Sequence, residues 1–554
     1  MNILLFALIG AVAMPGFAAG ANRQELAPTP PMGWNDWAHY QCGYTAETIL
    51  ANAKGLVRTG LAARGYNTVT IDDCWMQKDR DSRGDLQADP QRFPHGMKAL
   101  ADAIHSMGLK FGIYEDSGYA TCGGFAGSGA PNGGGKAHFL QDARLFASWG
   151  VDYLKLDGCN VYVSPGSNKV EARRKAYSAE SRALKATGRP IVFSESATDC
   201  CRFGPYYYDV LSWVGKYGQL WRVGNDVATF HASHPDRPRF HSVLWNYAVN
   251  LQLGRFQKPG NWDDPDFVIG GDPGMSLAET RSQMALWSMM SSPLNLSSDL
   301  TKLSAQAIAI LGNKSVIAID QDPLGKMATL VERSPATDVL FKRLAGGEYA
   351  VAVLNHGSSP IHVRLQPAQF GFSASKPCRL NARNLWNGRV SSSLILVAHV
   401  ASHDTGIWRV HAPSSCGVPT RTGAIIMAVP LPPGTNWRQK HPNERHPSIQ
   451  EYTRCLTASG TVGACADTAA ERWTITPGGA LKSGRHCLGA RNGKVVMEAC
   501  NGSSTERWKY NPVGNLIDSD GRCLSASGPY NRVQGLRIRA CGHNQPAQIW
   551  SLPN

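Results

Sequence analysis

Between residue 31 and about residue 320 the chain alternates short apolar runs with amphipathic stretches, and this alternation limits the fold more than any other feature. Strand candidates fall at 32–35, 68–72, 110–114, 153–156, 190–194, 219–223, near 260–262 and at 294–298. Helix candidates lie between them. The segment 45–59 closes at Gly60, 97–107 at Gly108 and 136–149 at Gly150, each with glycine where a left-handed C-cap is wanted. Eight strand–helix units predict an α/β fold of the (β/α)8 TIM-barrel type. Polar and aromatic residues collect at the C-terminal strand ends: Trp34-Asn35-Asp36-Trp37, Asp72-Asp73-Cys74-Trp75, Tyr114-Glu115-Asp116 and Asp157-Gly158-Cys159. That rim is where such barrels carry their chemistry, and a purely structural face would not need so many carboxylates.

Beyond the barrel the texture changes. Residues 323–412 form short alternating runs that predict an antiparallel β-sandwich. Cys378 and Cys416 are the thiols of this stretch and are expected to pair. Residues 430–450, rich in Pro, Asn, Arg and His and without periodicity, read as a linker. A threefold repeat follows. Cys455-Leu456, Cys487-Leu488 and Cys523-Leu524 each precede a second cysteine (Cys465, Cys500, Cys541) and a closing Trp473, Trp508 or Trp550. Each unit is expected to carry its own disulfide and to bury its own tryptophan. This array resembles the ricin-type β-trefoil lectin module. The expected organisation is a leader at 1–21, a barrel at 22–322, a sandwich at 323–416, a linker at 417–450 and a trefoil at 451–554.

The leader reading rests on an apolar run from Met1 to about Phe17, ending in Ala19-Gly20-Ala21, a small-x-small cleavage pattern. No later stretch approaches the ~20 apolar residues of a spanning helix. The 14 cysteines and the sequons at Asn295, Asn313 and Asn501 agree with secretion to an oxidising, extracellular compartment. Net charge is +14, but Lys and Arg are dispersed, so neither a nucleic acid nor a membrane is an expected partner. No Cys-x-x-Cys or paired-His spacing points to zinc, and no cofactor is implied.

Glycosyl transfer with retention needs two carboxyls flanking the anomeric carbon, one ionised to attack and one protonated to release the leaving oxygen. Asp157 is the best nucleophile candidate. It ends the fourth strand, and Lys155, two residues earlier, lies on the same strand face, where an ammonium favours the ionised carboxylate.

The blocks Pro31-Met-Gly-Trp-Asn-Asp-Trp37, Ile71-Asp-Asp-Cys-Trp75, Gly112-Ile-Tyr114, Tyr153-Leu-Lys-Leu-Asp-Gly-Cys159 and Asp264-Pro-Asp266 resemble the signatures of glycoside hydrolase family 27. The resemblance spans residues 28–412, and the added trefoil resembles a subgroup of secreted fungal enzymes. It implies an exo-acting, retaining α-galactosidase with Asp157 as nucleophile and Asp226 as acid/base. Asp72 and Asp73 would accept hydrogen bonds from the galactose 4- and 6-hydroxyls. Trp34 would stack on the sugar, Arg222 would contact it, and Tyr114, Lys155 and Asp266 would line the pocket. It also implies disulfides Cys42–Cys74 and Cys122–Cys159 around the site. Cys200 and Cys201 remain as a vicinal disulfide or as unpaired thiols. The substrates implied are α-galactoside oligosaccharides or galactose-bearing polysaccharides.

Two departures keep alternatives open. The family usually carries bulk after strand five, where this chain reads Ser194-Glu195-Ser196-Ala197. Ser196 and Ala197 leave room for an acetamido group, which keeps α-N-acetylgalactosaminidase as a rival, and the family also includes β-L-arabinopyranosidases, whose sugar lacks the hydroxymethyl. The trefoil repeats read Cys-Leu-Thr, Cys-Leu-Gly and Cys-Leu-Ser where a sugar-binding repeat carries Asp, so a structural or weakly sugar-binding module is expected. A catalytically inactive galactose-binding lectin would have lost a catalytic carboxylate, and both are present.

Overall fold

The computed structural model describes residues 26–131, 135–200, 206–373, 377–428, 453–465, 471–528, 532–542 and 544–554. The leader at 1–21 and the segment 430–450 lie outside the described residues, as do the Cys200 side chain and Cys201.

Eight parallel strands form the first sheet: β1 (Met32–Asn35), β2 (Thr68–Thr70), β3 (Lys110–Asp116), β4 (Tyr153–Asp157), β5 (Val192–Glu195), β6 (Leu220–Arg222), β7 (Trp262–Asp264) and β8 (Leu294–Leu296). β1 pairs with both β2 and β8, and a parallel bridge from Val268 to Leu296 closes the ring between β7 and β8. The intervening helices start and stop on local chemistry. Thr45 caps Ala46–Arg58 with its side chain accepting from Thr48 N–H, and Gly150 ends Phe139–Trp149 at φ 85°. That helix begins at Phe139 rather than at 136, where the chain is still irregular.

The pleat decides which side chains reach the interior. Register sets Tyr114 beside Lys155 and Lys155 beside Ser194, with Asp116 beside Asp157 one step on toward the C-terminal rim. The alternate residues Leu154 and Leu156 are fully buried among the apolar side chains of the core.

The sandwich follows. A six-stranded antiparallel sheet includes Thr329–Arg333, Thr337–Arg343, Tyr349–Asn355 and Thr405–His411, and a two-stranded sheet pairs Ile361–Leu365 with Leu396–Val400. Phe341, Phe370 and Tyr349 stack within their shared core. Cys378 and Cys416 are joined there.

The trefoil repeats its sequence signature in its hydrogen bonds. Each closing tryptophan donates its indole N–H to the carbonyl of its own unit's leucine: Trp473 to Leu456 at 2.8 Å, Trp508 to Leu488 at 2.8 Å, Trp550 to Leu524 at 3.1 Å. Disulfides join Cys455 to Cys465, Cys487 to Cys500 and Cys523 to Cys541. Glu506 accepts from Asn501 and Gly502 N–H, and Gln548 ties Ala540 to Gly542, so these closing-motif residues pin backbone. The structure corrects the linker reading at its near end. Within 417–450, Arg421–Ala424 and Ile426–Met427 are strands pairing with Arg472–Ile475, Arg454–Leu456 and Trp550–Ser551. Ile425 and Met427 are buried in the trefoil core, yet seven residues are too few to show a period.

The three sequons fare differently. Asn295 sits mid-strand in β8 with its Oδ1 buried, and Asn313 caps Lys314–Asp320 while donating to the Leu385 carbonyl at 2.9 Å. The Asn313 side chain is thus engaged in the fold and Asn295 lies within a strand, whereas Asn501 is exposed in a loop, the placement a glycan acceptor needs. In a glycosylating host, peptide N-glycosidase should shift the wild-type mass by one glycan and leave Asn501→Gln unshifted. A shift persisting in that variant would contradict this assignment.

Candidate active site

Trp37, Asp72, Asp73, Tyr114, Cys122, Lys155, Asp157, Cys159, Ser196, Arg222 and Asp226 line one cavity of about 180 Å³ at the C-terminal rim of the barrel. It is smaller than the ~300–1,000 Å³ clefts that take drug-sized ligands, as suits a single sugar ring. Residues from β2, β3, β4 and β6 and the turns beyond them converge here because parallel strands all present their C-terminal ends to one face.

The floor is an ordered polar network. Lys155 Nζ donates to Asp72 Oδ2 at 2.6 Å, and Asn35 Nδ2 donates to the same oxygen at 2.8 Å. Asp73 accepts from the Cys74 and Gly123 N–H groups, each at 2.7 Å. Burial opposes charge on Lys155, but Asp72 and then Asp157 more than offset it, so the ammonium is held above its ordinary range. Burial also pushes the Asp73 carboxyl up, opposed by its N–H donors. Lys155 thus bonds Asp72 rather than Asp157, although both carboxylates feel its charge.

Asp157 accepts from Gly158 N–H at 2.9 Å and from the Tyr114 hydroxyl at 3.2 Å. Burial, then the Asp157 charge, raises the Tyr114 phenol well above its usual value and keeps it a donor. On the far wall Arg222 spans two carboxylates, Asp226 at 3.0 Å and Asp266 at 3.1 Å. Burial opposes the guanidinium charge, while Asp266 and then Asp226 hold it. The two acids differ sharply in exposure: the Asp226 side chain is 63% exposed and Asp266 only 1%. Asp226 therefore meets solvent at the mouth, whereas Asp266 accepts from Val227 N–H at 2.6 Å and braces Arg222 from behind. Disulfides join Cys42 to Cys74 and Cys122 to Cys159, and the second forms part of the cavity wall.

Two placements differ from the sequence reading. Trp34 is fully buried, with its indole N–H on the Ser298 carbonyl at 2.9 Å, so it packs the barrel and cannot stack on a ligand. Trp37, just past the end of β1, lines the cavity instead. Asp266 does not line the cavity; it pairs with Arg222 from behind. Ser196, from the small-residue segment after strand five, lines the cavity, and Asn35, named at the rim without a role, bonds Asp72. The usable signal was position, since residues at or just past the C-terminal ends of barrel strands are the ones that reach the rim.

The family model described as Alpha galactosidase A matches residues 29–322, and the Alpha galactosidase C-terminal beta sandwich domain matches 334–410. The Ricin-type beta-trefoil lectin domain matches 438–550. Alpha-galactosidase A of Aspergillus niger is 34% identical over 100% of this chain and 96% of its own length. The crystal structure of alpha-galactosidase I from Mortierella vinacea superposes with a TM-score of 0.61 at 28% identity, covering 71% of this chain and 100% of that one. The structure of the Saccharomyces cerevisiae enzyme gives 0.61 at 25% identity, covering 70% of this chain and 98% of that one.

Proposed function

The chain is a glycoside hydrolase belonging to the alpha-galactosidase A family, and from that premise we propose that it is a secreted, retaining, exo-acting α-galactosidase with Asp157 as nucleophile and Asp226 as acid/base. The observation that carries this reading is the single cavity lined by both carboxylates, with Arg222 bonded to Asp226 and the Lys155–Asp72 pair at its floor.

In the first step a carboxylate oxygen of Asp157 attacks the anomeric carbon while the bond from that carbon to the leaving oxygen breaks. Asp226 gives its proton to the departing oxygen, leaving a galactosyl ester on Asp157. In the second step Asp226 takes a proton from water, the water oxygen bonds the same carbon, and Asp157 leaves as carboxylate. Two inversions give net retention. Tyr114 and Gly158 N–H stabilise the Asp157 carboxylate as it forms again. The exposure of Asp226 suits a group that must meet both the aglycone and water. Asp72 and Asp73 accept from the sugar hydroxyls, and Trp37 offers the aromatic wall.

The substrates follow as α-galactoside oligosaccharides or galactose-bearing polysaccharides, with the trefoil as a structural or weakly sugar-binding appendage. A second reading, α-N-acetylgalactosaminidase, is favoured by one observation: the small Ser196 lines the cavity after β5, where a 2-acetamido group needs room.

The test is hydrolysis of p-nitrophenyl α-galactoside beside the α-N-acetylgalactosaminide and the β-L-arabinopyranoside. Cleavage of the galactoside is expected to lead by at least about tenfold in kcat/KM, with a bell-shaped pH profile centred below 7 because one carboxyl must stay protonated. A lead for the acetamido sugar would move the assignment to the second reading, and cleavage of none would remove both.

A further inference from the structure

In the two-stranded sheet of the sandwich, Ile361–Leu365 and Leu396–Val400 run antiparallel with His362 paired to His399. The alternate residues Leu365, Leu396, Ala398 and Val400 enter the sandwich core, so the pleat turns both imidazoles outward, where both are exposed. Their ring centroids stand 4.3 Å apart with the planes at 88°. Neither imidazole is hydrogen-bonded or ion-paired to another described residue.

We propose that His362 and His399 form a bidentate surface site for a tetragonal divalent transition metal, Cu2+ or Ni2+. With a metal–nitrogen bond of about 2.0–2.1 Å, the metal lies about 3.2 Å from each imidazole centroid. Two imidazoles bound at a right angle then hold their centroids about 4.5 Å apart, whereas a tetrahedral angle needs about 5.2 Å. The observed 4.3 Å lies nearer the right-angled value than the tetrahedral one, so rotating the side chains to aim one nitrogen of each ring at a common point would close a right-angled chelate. Square-planar and tetragonal sites with nitrogen and oxygen donors suit Cu2+ and Ni2+, which also head the affinity order for imidazole. Water fills the remaining positions.

The surroundings select the same class of ion. The exposed neighbours on this face are Arg364 and Val397, which offer no carboxylate oxygen to a hard ion such as Ca2+ or Mg2+. The paired strands fix the two backbones, so only side-chain rotation is needed to close the chelate. The imidazoles bind as neutral groups, so protons compete with the metal.

The experiment titrates tag-free, full-length protein with CuCl2 by calorimetry and records the electron paramagnetic resonance spectrum at one equivalent. One strongest site is expected, with two equatorial imidazole nitrogens. His362→Thr and His399→Thr should each weaken it at least about tenfold, leaving one monodentate imidazole, and the double variant should abolish it. Threonine suits an exposed strand, so the unfolding midpoint should stay unchanged. A strongest site that survives either substitution overturns the proposal. So does a wild-type spectrum with a different donor set, a readout that needs no variant to fold.

Discussion

Asp157→Ala should lower kcat/KM for p-nitrophenyl α-galactoside by about 10^4-fold or more, and sodium azide should restore turnover. The carboxylate bonds the anomeric carbon in the first step, so its removal deletes the covalent route rather than weakening a contact. Alanine leaves space beside Tyr114 and Gly158 N–H, the two donors that held the carboxylate. Azide can occupy that space and attack the same carbon, giving the β-galactosyl azide with inverted configuration. Asp226→Ala should behave differently. A p-nitrophenolate leaves with little help from an acid, so this variant should lose about 10²–10⁴-fold, most on natural galactosides whose leaving oxygen needs the proton. Product configuration, read by proton NMR, separates the roles. If azide rescued Asp226→Ala alone, or gave an α-azide from Asp157→Ala, the two assignments would have to be exchanged.

How much of this was legible before any fold was known follows a physical division. The barrel was, because apolar strands and glycine-closed helices are written locally, and Gly108 and Gly150 both adopt the left-handed conformation their positions suggested. The trefoil was, because its repeat shows three times. The site was legible to the extent that strand ends mark the rim. What failed was what only packing decides. Trp34 and Trp37 are three residues apart in one motif, and no local rule separates a core tryptophan from a pocket tryptophan until β1 is known to end at Asn35. Likewise Lys155 and Asp157 share a strand face, but Lys155 reaches across the barrel to Asp72, 83 residues away in sequence. Strand 421–424 looked like linker because its partner, Arg472–Ile475, lies some fifty residues on.

The same division hides the feature whose loss should destabilise the molecule most. Arg333 and Asp338 are both fully buried and meet through two hydrogen bonds, Nε to Oδ1 at 2.7 Å and Nη2 to Oδ2 at 2.5 Å. The Tyr247 hydroxyl, from the barrel helix Phe240–Asn250, donates to Asp338 at 2.8 Å, and the Arg333 guanidinium donates to Thr453 of the trefoil. One ion pair in the sandwich therefore ties all three units together. Arg333→Met removes the cation and leaves Asp338 buried with only Tyr247 and His356 beside it, and breaking a buried pair from one side typically costs about 3–5 kcal/mol. Urea unfolding of the full chain, followed by tryptophan fluorescence, should show that loss; a loss under about 1 kcal/mol would mean water reaches the site and solvates the orphaned carboxylate. The pH dependence has a definite sign. Arg333 and the nearby His356 more than offset burial and hold the Asp338 carboxyl below its ordinary range. A depressed folded-state value contributes stability that is fully present above the unfolded carboxyl pKa of about 3.9 and is lost as pH falls through the folded one. Between about pH 4 and pH 2 the wild type should therefore lose stability that Arg333→Met/Asp338→Leu, lacking the titrating group, does not lose through this site. Parallel acid-unfolding curves for the two proteins would show that the pair is not what acid breaks.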